Sequence, residues 1–184
     1  DVLDMSKIEA GRTRLNQRSF DLVRMLERLE EMFALRAEQK GLALTLDLGP
    51  GVPHYVTADD GKLRQVLMNL LGNAVKFTEQ GRVVLRVGTV SPPLGSGQTP
   101  SVWVRFQVED TGSGIPADEI QEIFVPFIQS SSGQQAAEGT GLGLAISQQY
   151  VRLMGGDIRV TSKIGKGSIF QFDSKRCLVQ PAVS

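Results

Sequence analysis

Apolar residues recur every three or four positions in some stretches of this chain and alternate with polar ones in others, which separates helices from strands. Asp21 is suited to cap a helix whose stripe is Leu22, Leu26, Leu29, Phe33 and Ala37, and Gly41 ends it. Leu42, Leu44, Leu46 and Leu48 then alternate as a strand, and Val52 to Thr57 reads as a short connector or strand. Asp59 is the expected cap of a second helix reaching about Thr78, with Leu63, Val66, Leu67, Leu70, Leu71 and Ala74 on its buried side. Strands are expected at Val83–Val90 and Val102–Val108, joined by the Pro/Gly/Ser-rich run SPPLGSGQTP. A short helix is expected over Pro116–Phe127, then a polar, apolar-poor stretch at Gln129–Glu138. A third helix starts near Gly141 and stops at Gly155–Gly156; strands Asp157–Ser162 and Ser168–Asp173 follow, with a frayed tail after Lys175.

This order of helix, strand, helix, paired strands, helix and paired strands does not fit alternating βαβ units. It predicts an α/β fold, a two-layer sandwich with helices on one face of a mixed, mainly antiparallel sheet. The opening segment DVLDMSKIEAGR has helical spacing at Val2, Met5 and Ile8 and breaks at Gly11. It begins inside a helix, as expected of a piece of a longer protein.

At 184 residues, 41% of them hydrophobic, the chain suits one globular domain. Lys plus Arg and Asp plus Glu both number 20, which gives no reason to expect nucleic acid or an anionic membrane as partner. No run reaches the roughly 18 apolar residues of a membrane span. Cys177 is the single cysteine, which excludes an intrachain disulfide and a cysteine-based metal site. His54, the single histidine, has no acid beside it in sequence and is expected to be structural.

Three segments carry candidate chemistry. On the second helix Asn69, Asn73 and Lys76 fall within an arc of roughly 60°, on a polar stripe away from the leucines. Two amide oxygens and an ammonium so placed suit Mg²⁺ and the phosphates it bridges. A solvated face is the alternative, although asparagine is a poor helix former. DTGSGI (110–115) stands where a strand ends: Asp110 can accept a hydrogen bond from an exocyclic amine, and Gly112 and Gly114 let the backbone approach a flat base. An ordinary glycine turn is the other reading. GTGLGLAI (139–146) leads into the third helix and aims backbone N–H groups at an anion. It is not a dinucleotide fingerprint, because no apolar strand precedes it and Leu144 holds the third glycine position. GKGS (165–168) is not a P-loop, because Gly167 follows the lysine.

LRQVLMNLLGNAVKFT (63–78), DTGSGI, IFVPF (123–127), GTGLGLAI and GKGS stand in the order of the N box, glycine boxes and F box of histidine kinases. The chain therefore resembles the ATP-binding catalytic domain of sensor histidine kinases, whose fold is shared with gyrase, mismatch-repair and chaperone ATPases. The resemblance covers about residues 1–173. It implies Mg²⁺ coordination at Asn73 with help from Asn69, and Lys76 on the phosphates, with Asn73 and Lys76 as the catalytic pair. It places Asp110, Gly112, Gly114 and Ile115 around the adenine of ATP. Gly139, Gly141 and Gly143 would wrap the phosphates, with Thr140, Leu142 and Leu144 of the same segment among the nucleotide-binding positions. Phe124 and Phe127 would anchor a mobile lid over Gln129–Glu138, with plain core packing as their alternative, and Ser168 would bond near the Asp110 carboxylate.

By the same resemblance, residues 1–17 are the end of a dimerisation and phosphotransfer helix with its linker and 18–175 the catalytic domain; residues 176–184 are expected to form a flexible tail as a chain terminus. The implied partners are a histidine-bearing hairpin of the same protein, a response-regulator receiver domain and a second copy in a homodimer. A cytoplasmic setting is implied, with membrane anchoring of the full-length protein left open. Two departures stand out. Residues 128–138 contain no Lys or Arg, where these kinases often carry a cation on the terminal phosphate, and Val125 replaces an acidic residue of the F box. The related hydrolysing ATPases place Glu at the position of Asn69, and a neutral Asn does not activate water. The expected activity is therefore phosphoryl transfer to a histidine rather than hydrolysis. A hydrolysing ATPase and a non-catalytic nucleotide-binding module are the rival readings.

Overall fold

The computed structural model describes residues 1–91, 101–130 and 139–178. Its elements are α1 (Val2–Glu9), β1 (Arg18–Asp21), α2 (Leu22–Gln39), β2 (Ala43–Leu48), β3 (Tyr55–Ala58), α3 (Asp60–Phe77), β4 (Arg82–Val90), β5 (Ser101–Asp110), α4 (Gly143–Leu153), β6 (Arg159–Lys163) and β7 (Gly167–Leu178). The strands form one sheet in the order β1-β3-β7-β5-β4-β2, with β6 also paired to β7. Among the described strands only β2 and β4 run parallel; the other pairs are antiparallel. The expected mixed, mainly antiparallel sandwich is the fold observed.

The helices form because each buries one stripe. Leu22, Leu26, Leu29 and Phe33 of α2 and Leu63, Val66, Leu67, Leu70 and Leu71 of α3 are buried together with Ile146 and Val151 of α4. They meet the inward residues Val83, Leu85 and Val87 of β4, Val104, Phe106 and Val108 of β5, and Phe170 and Phe172 of β7. Phe106 and Phe172, partners across the β5–β7 ladder, stack with ring centroids 5.0 Å apart. The opposite face carries charge pairs, with Arg105 Nε donating to Asp173 at 2.7 Å and Arg86 to Glu109. The sheet is therefore apolar toward the helices and polar away from them.

Both long helices start as expected. Asp21 accepts the Arg24 N–H at 2.9 Å and Asp59 the Lys62 N–H at 3.0 Å, each satisfying an otherwise unpaired first-turn donor. In α1, Met5 and Ile8 pack against the core, whereas Val2 is exposed.

Four expectations are corrected. The helix expected over Pro116–Phe127 is a series of turns around one 3₁₀ turn, Glu122–Phe124. Its bonds span mostly three residues, such as Glu119 N–H to Pro116 and Val125 N–H to Glu122, and Val125 is extended, as a residue before proline prefers. The third helix begins at Gly143, because Gly141 has φ +72°, outside the helical region. The last strand does not stop at Asp173 and its continuation does not fray after Lys175, since β7 runs to Leu178 by pairing with β5 and β3. β6 starts two residues late, at Arg159. The strand β1 was not expected: only Phe20 of its four residues is apolar, and it exists as the antiparallel partner of β3. The loop 92–100, the lid positions 131–138 and the tail 179–184 lie outside the described residues. Among those described, no helix is long and apolar enough to cross a membrane.

Candidate functional site

Between α3, the ends of β5 and β7, and the start of α4 lies a cavity into which the chemistry-bearing segments converge. Asn73 and Lys76 line it from α3, and Asp110, Gly114 and Ile115 from the end of β5 and its turn. Thr140, Gly141, Gly143 and Leu144 contribute at the start of α4, and Ser168 from β7. Five of the expected positions do not line it. Leu142 is fully buried in the core, Phe127 is 67% exposed, and Asn69, Gly112 and Gly139 each adjoin a lining residue: Gly143, Asp110 and Lys76 respectively.

The C-terminal turn of α3 leaves its lysine available to the cavity. Carbonyls there attract cations, but Lys40 Nζ donates to Val75 O at 2.8 Å and Lys76 O at 3.1 Å, and Thr78 Oγ1 to Ala74 O at 2.7 Å. The Lys76 ammonium instead lies 5.2 Å from the Phe77 ring centroid at the cavity wall. Asn69, one turn before Asn73, is committed elsewhere: its Nδ2 donates to Gly143 O at 3.1 Å and Ser147 Oγ at 3.0 Å, pinning the first turn of α4 to α3.

Asp110 faces the helices because it shares the parity of Val104, Phe106 and Val108 along β5. It is 8% exposed. Burial pushes its carboxyl up, against the backbone N–H groups of Gly112 and Ser168, which favour the charged form; nearby Glu109 adds to the rise. The Gly112 N–H donates to Oδ1 at 2.8 Å.

The glycine turn after Asp110 is held by the β6–β7 hairpin. Gly114 has φ +74°, and a Cβ on it would stand 2.2 Å from Lys163 O. Gly165 N–H donates to Ser113 O at 2.8 Å and Ile115 N–H to Ser162 Oγ at 2.8 Å. Ser162 and Ser168 hydroxyls are 2.8 Å apart, so one bond chain links the turn to β7. Ser162 was missed from sequence; its signal is a hydroxyl at an inward position of a short strand.

At the other end, Leu142 precedes α4 without a side-chain cap bond, leaving the first N–H groups of the helix for another acceptor. Gly141 is a backbone crossing point: its carbonyl accepts the Phe127 N–H at 3.0 Å, and a Cβ on it would meet Phe127 Cα at 2.9 Å. Phe127 takes φ +67°, the one positive value among the described non-glycine residues, so it meets the start of α4 through a strained backbone rather than a buried ring. Phe124 packs half-buried against the core.

Residues 58–176 match the family described as histidine kinase-, DNA gyrase B-, and HSP90-like ATPase. The chain belongs to that family. Within it the likeness is to sensor kinases. The chain is 44% identical over 172 residues to the aerobic respiration control sensor protein ArcB of Escherichia coli (strain K12), covering 92% of this chain and 21% of that protein. It is 40% identical over 185 residues to the sensory/regulatory protein RpfC of Xanthomonas campestris pv. campestris, covering 100% of this chain and 25% of RpfC. Full-length ShkA, solved in complex with AMPPNP, superposes with a TM-score of 0.81 at 33% identity, over 98% of this chain and 35% of that one. The chain thus spans about a fifth to a quarter of the length of these two relatives, and is a histidine-kinase-type ATPase domain in both sequence and fold.

Proposed function

We propose that this ATPase-family domain binds Mg²⁺-ATP and transfers its terminal phosphoryl group to a histidine on a hairpin outside the chain. The observation that carries the reading is the convergence, on one cavity, of Asn73 and Lys76, a buried Asp110 and the uncapped start of α4. A buried acceptor suits the exocyclic amine of adenine, and an ammonium with open helix N–H groups suits phosphates. ShkA, the similar solved structure, holds an ATP analogue.

The donor set fits Mg²⁺ and not a caged metal. Among the described residues no group of three or more His, Cys, Asp or Glu could hold an ion. The Asn73 amide oxygen offers one neutral ligand, and Mg²⁺ characteristically takes few protein ligands and completes its shell with phosphates and water. When bound, the ion neutralises phosphate charge. Asn73 would hold it, with Asn69 only its positioning neighbour through α4. Lys76 orients and neutralises the phosphates, and the N–H groups from Gly143 onward fix their direction. Phosphoryl transfer demands that positioning more than covalent participation.

Transfer rather than hydrolysis follows from Asn69. A carboxamide is no general base at neutral pH, and its nitrogen is occupied by Gly143 and Ser147. On this reading residues 1–17 end a dimerisation helix, the full-length protein is a homodimer in the cytoplasm, and a receiver domain takes the phosphoryl group onward. A non-catalytic nucleotide-binding module is the second reading, favoured by the absence of Lys and Arg over residues 128–138.

The test is incubation with γ-labelled ATP and a hairpin from the parent protein. Acid-labile label on the hairpin is expected, and nucleotide binding without it would favour the second reading. In calorimetry Asn73→Asp is expected to lose most ATP affinity in Mg²⁺, because the added charge opposes the phosphates wherever the ion is lost. Unchanged affinity would remove Asn73 from the site.

A further inference from the structure

Gln129 lines the cavity, half-buried, at the start of the polar stretch. Its Nε2 donates to Gly139 O at 2.7 Å, joining the two ends of the stretch that carries no Lys or Arg. A Cβ on Gly139 would stand 3.3 Å from Lys76 Nζ and 3.4 Å from Gln129 Nε2. The ammonium of α3 and the carboxamide therefore flank one point on the cavity wall. A carboxamide nitrogen carries two hydrogens, and Gly139 takes one.

We propose that Gln129 is a phosphate-binding residue, a neutral donor to the terminal phosphate of the nucleotide, opposite Lys76. This rests on the nucleotide-binding reading above and adds a residue that reading does not use. The bond to Gly139 sets the carboxamide before the ligand arrives, so a second N–H points its charge-free dipole at a phosphate oxygen without ordering a long cationic side chain. The consequence is selectivity by phosphate number. A diphosphate has no oxygen at this point, so Gln129 distinguishes tri- from diphosphate and contributes little to adenine binding.

The experiment is calorimetric titration of the full chain with ADP and with the non-hydrolysable AMPPNP, both in Mg²⁺, for the parent, Gln129→Ala, Gln129→Glu and Gln129→Arg. A lost hydrogen bond to a charged group corresponds to roughly a tenfold change in affinity or more. Gln129→Ala is expected to lose about that factor for AMPPNP and less than about twofold for ADP. Gln129→Glu should lose more for AMPPNP, and Gln129→Arg should keep or raise the AMPPNP-over-ADP ratio. Equal loss for both nucleotides would make Gln129 only a brace for Gly139 and overturn the proposal, as would an unchanged ratio in Gln129→Glu. A parent chain that binds neither nucleotide would overturn the nucleotide-binding reading itself, so the two failures are distinguishable.

Discussion

The carboxylate of Asp59 accepts the backbone N–H of Asn16 at 2.8 Å, fastening the connector after α1 to the first turn of α3. The same carboxylate caps the Lys62 N–H at 3.0 Å and pairs with its ammonium at 3.0 Å. Burial alone would raise this carboxyl, but the N–H groups of Asn16 and Lys62 and the Lys62 ammonium outweigh it and hold it below the usual range. A depressed value means that the stabilisation is present above the ordinary carboxylate range, about pH 4, and is lost as pH falls through the folded-state value. Asp59→Ala is expected to cost about 1–3 kcal/mol at pH 7, from a lost cap and the lost partner of the part-buried Asn16 N–H. Urea titrations at pH 7 and pH 3 measure it. A penalty as large at pH 3 as at pH 7 would show that the charge is not what matters.

Asp110 has the opposite pH dependence. Its carboxyl is raised by burial, so its contribution to stability is greatest below the unfolded-state value and declines as pH rises through the folded-state one. Asp110→Asn keeps the shape and removes the buried charge, so the variant should melt at or above the parent temperature at pH 7. Its amide can donate to the carbonyl of guanine where the carboxylate cannot, so ATP-over-GTP preference should fall by about tenfold or more. Thermal melts and GTP competition read the two effects. A variant both less stable at pH 7 and equally selective would sink the assignment.

Gly114→Ala tests the hairpin's grip on the turn. The new Cβ meets Lys163 O at 2.2 Å in a backbone at φ +74°. Gly165→Ala is the control, with φ +77° and nothing within 4 Å. The control should lose only the backbone penalty, about 1 kcal/mol, and Gly114→Ala at least about 1 kcal/mol more. Urea unfolding gives both. Equal losses would mean that the contact relaxes at no cost.

What was legible in the sequence follows from contiguity. α2 and α3 were readable because eighteen-residue stripes with aspartate caps leave little choice of face. Asn73, Lys76, Asp110 and the glycines of 139–143 sit in compact motifs, and the structure brings those segments around one cavity. Ile120, Ile123, Phe124 and Phe127 mimic helical spacing, but Pro126 holds Val125 extended and the helix does not propagate. Ser162 was invisible because it acts through Ile115, 47 residues away, and Gln129 because its partner Gly139 lies ten residues on. Spacing within an element does not reveal contacts of that kind.

On the proposed reading, His54 lies outside the phosphoryl path. Its ring is 69% exposed and its Nδ1 stands 4.0 Å from Asp21 Oδ1, on the connector that leads into β3. β3 ends where α3 begins, whereas Lys76 stands at the far end of α3. The sixteen residue-to-residue steps of helix from Asp60 to Lys76 span about 24 Å at 1.5 Å rise per residue. In-line transfer needs reacting atoms about 3–3.5 Å apart, so no loop adjustment brings this imidazole to a phosphate held at Lys76. The chain alone is therefore expected to take no acid-labile label from γ-labelled ATP, and His54→Ala should label an added hairpin as fast as the parent does. Label appearing on the isolated chain and vanishing in His54→Ala would make His54 the acceptor and overturn this placement.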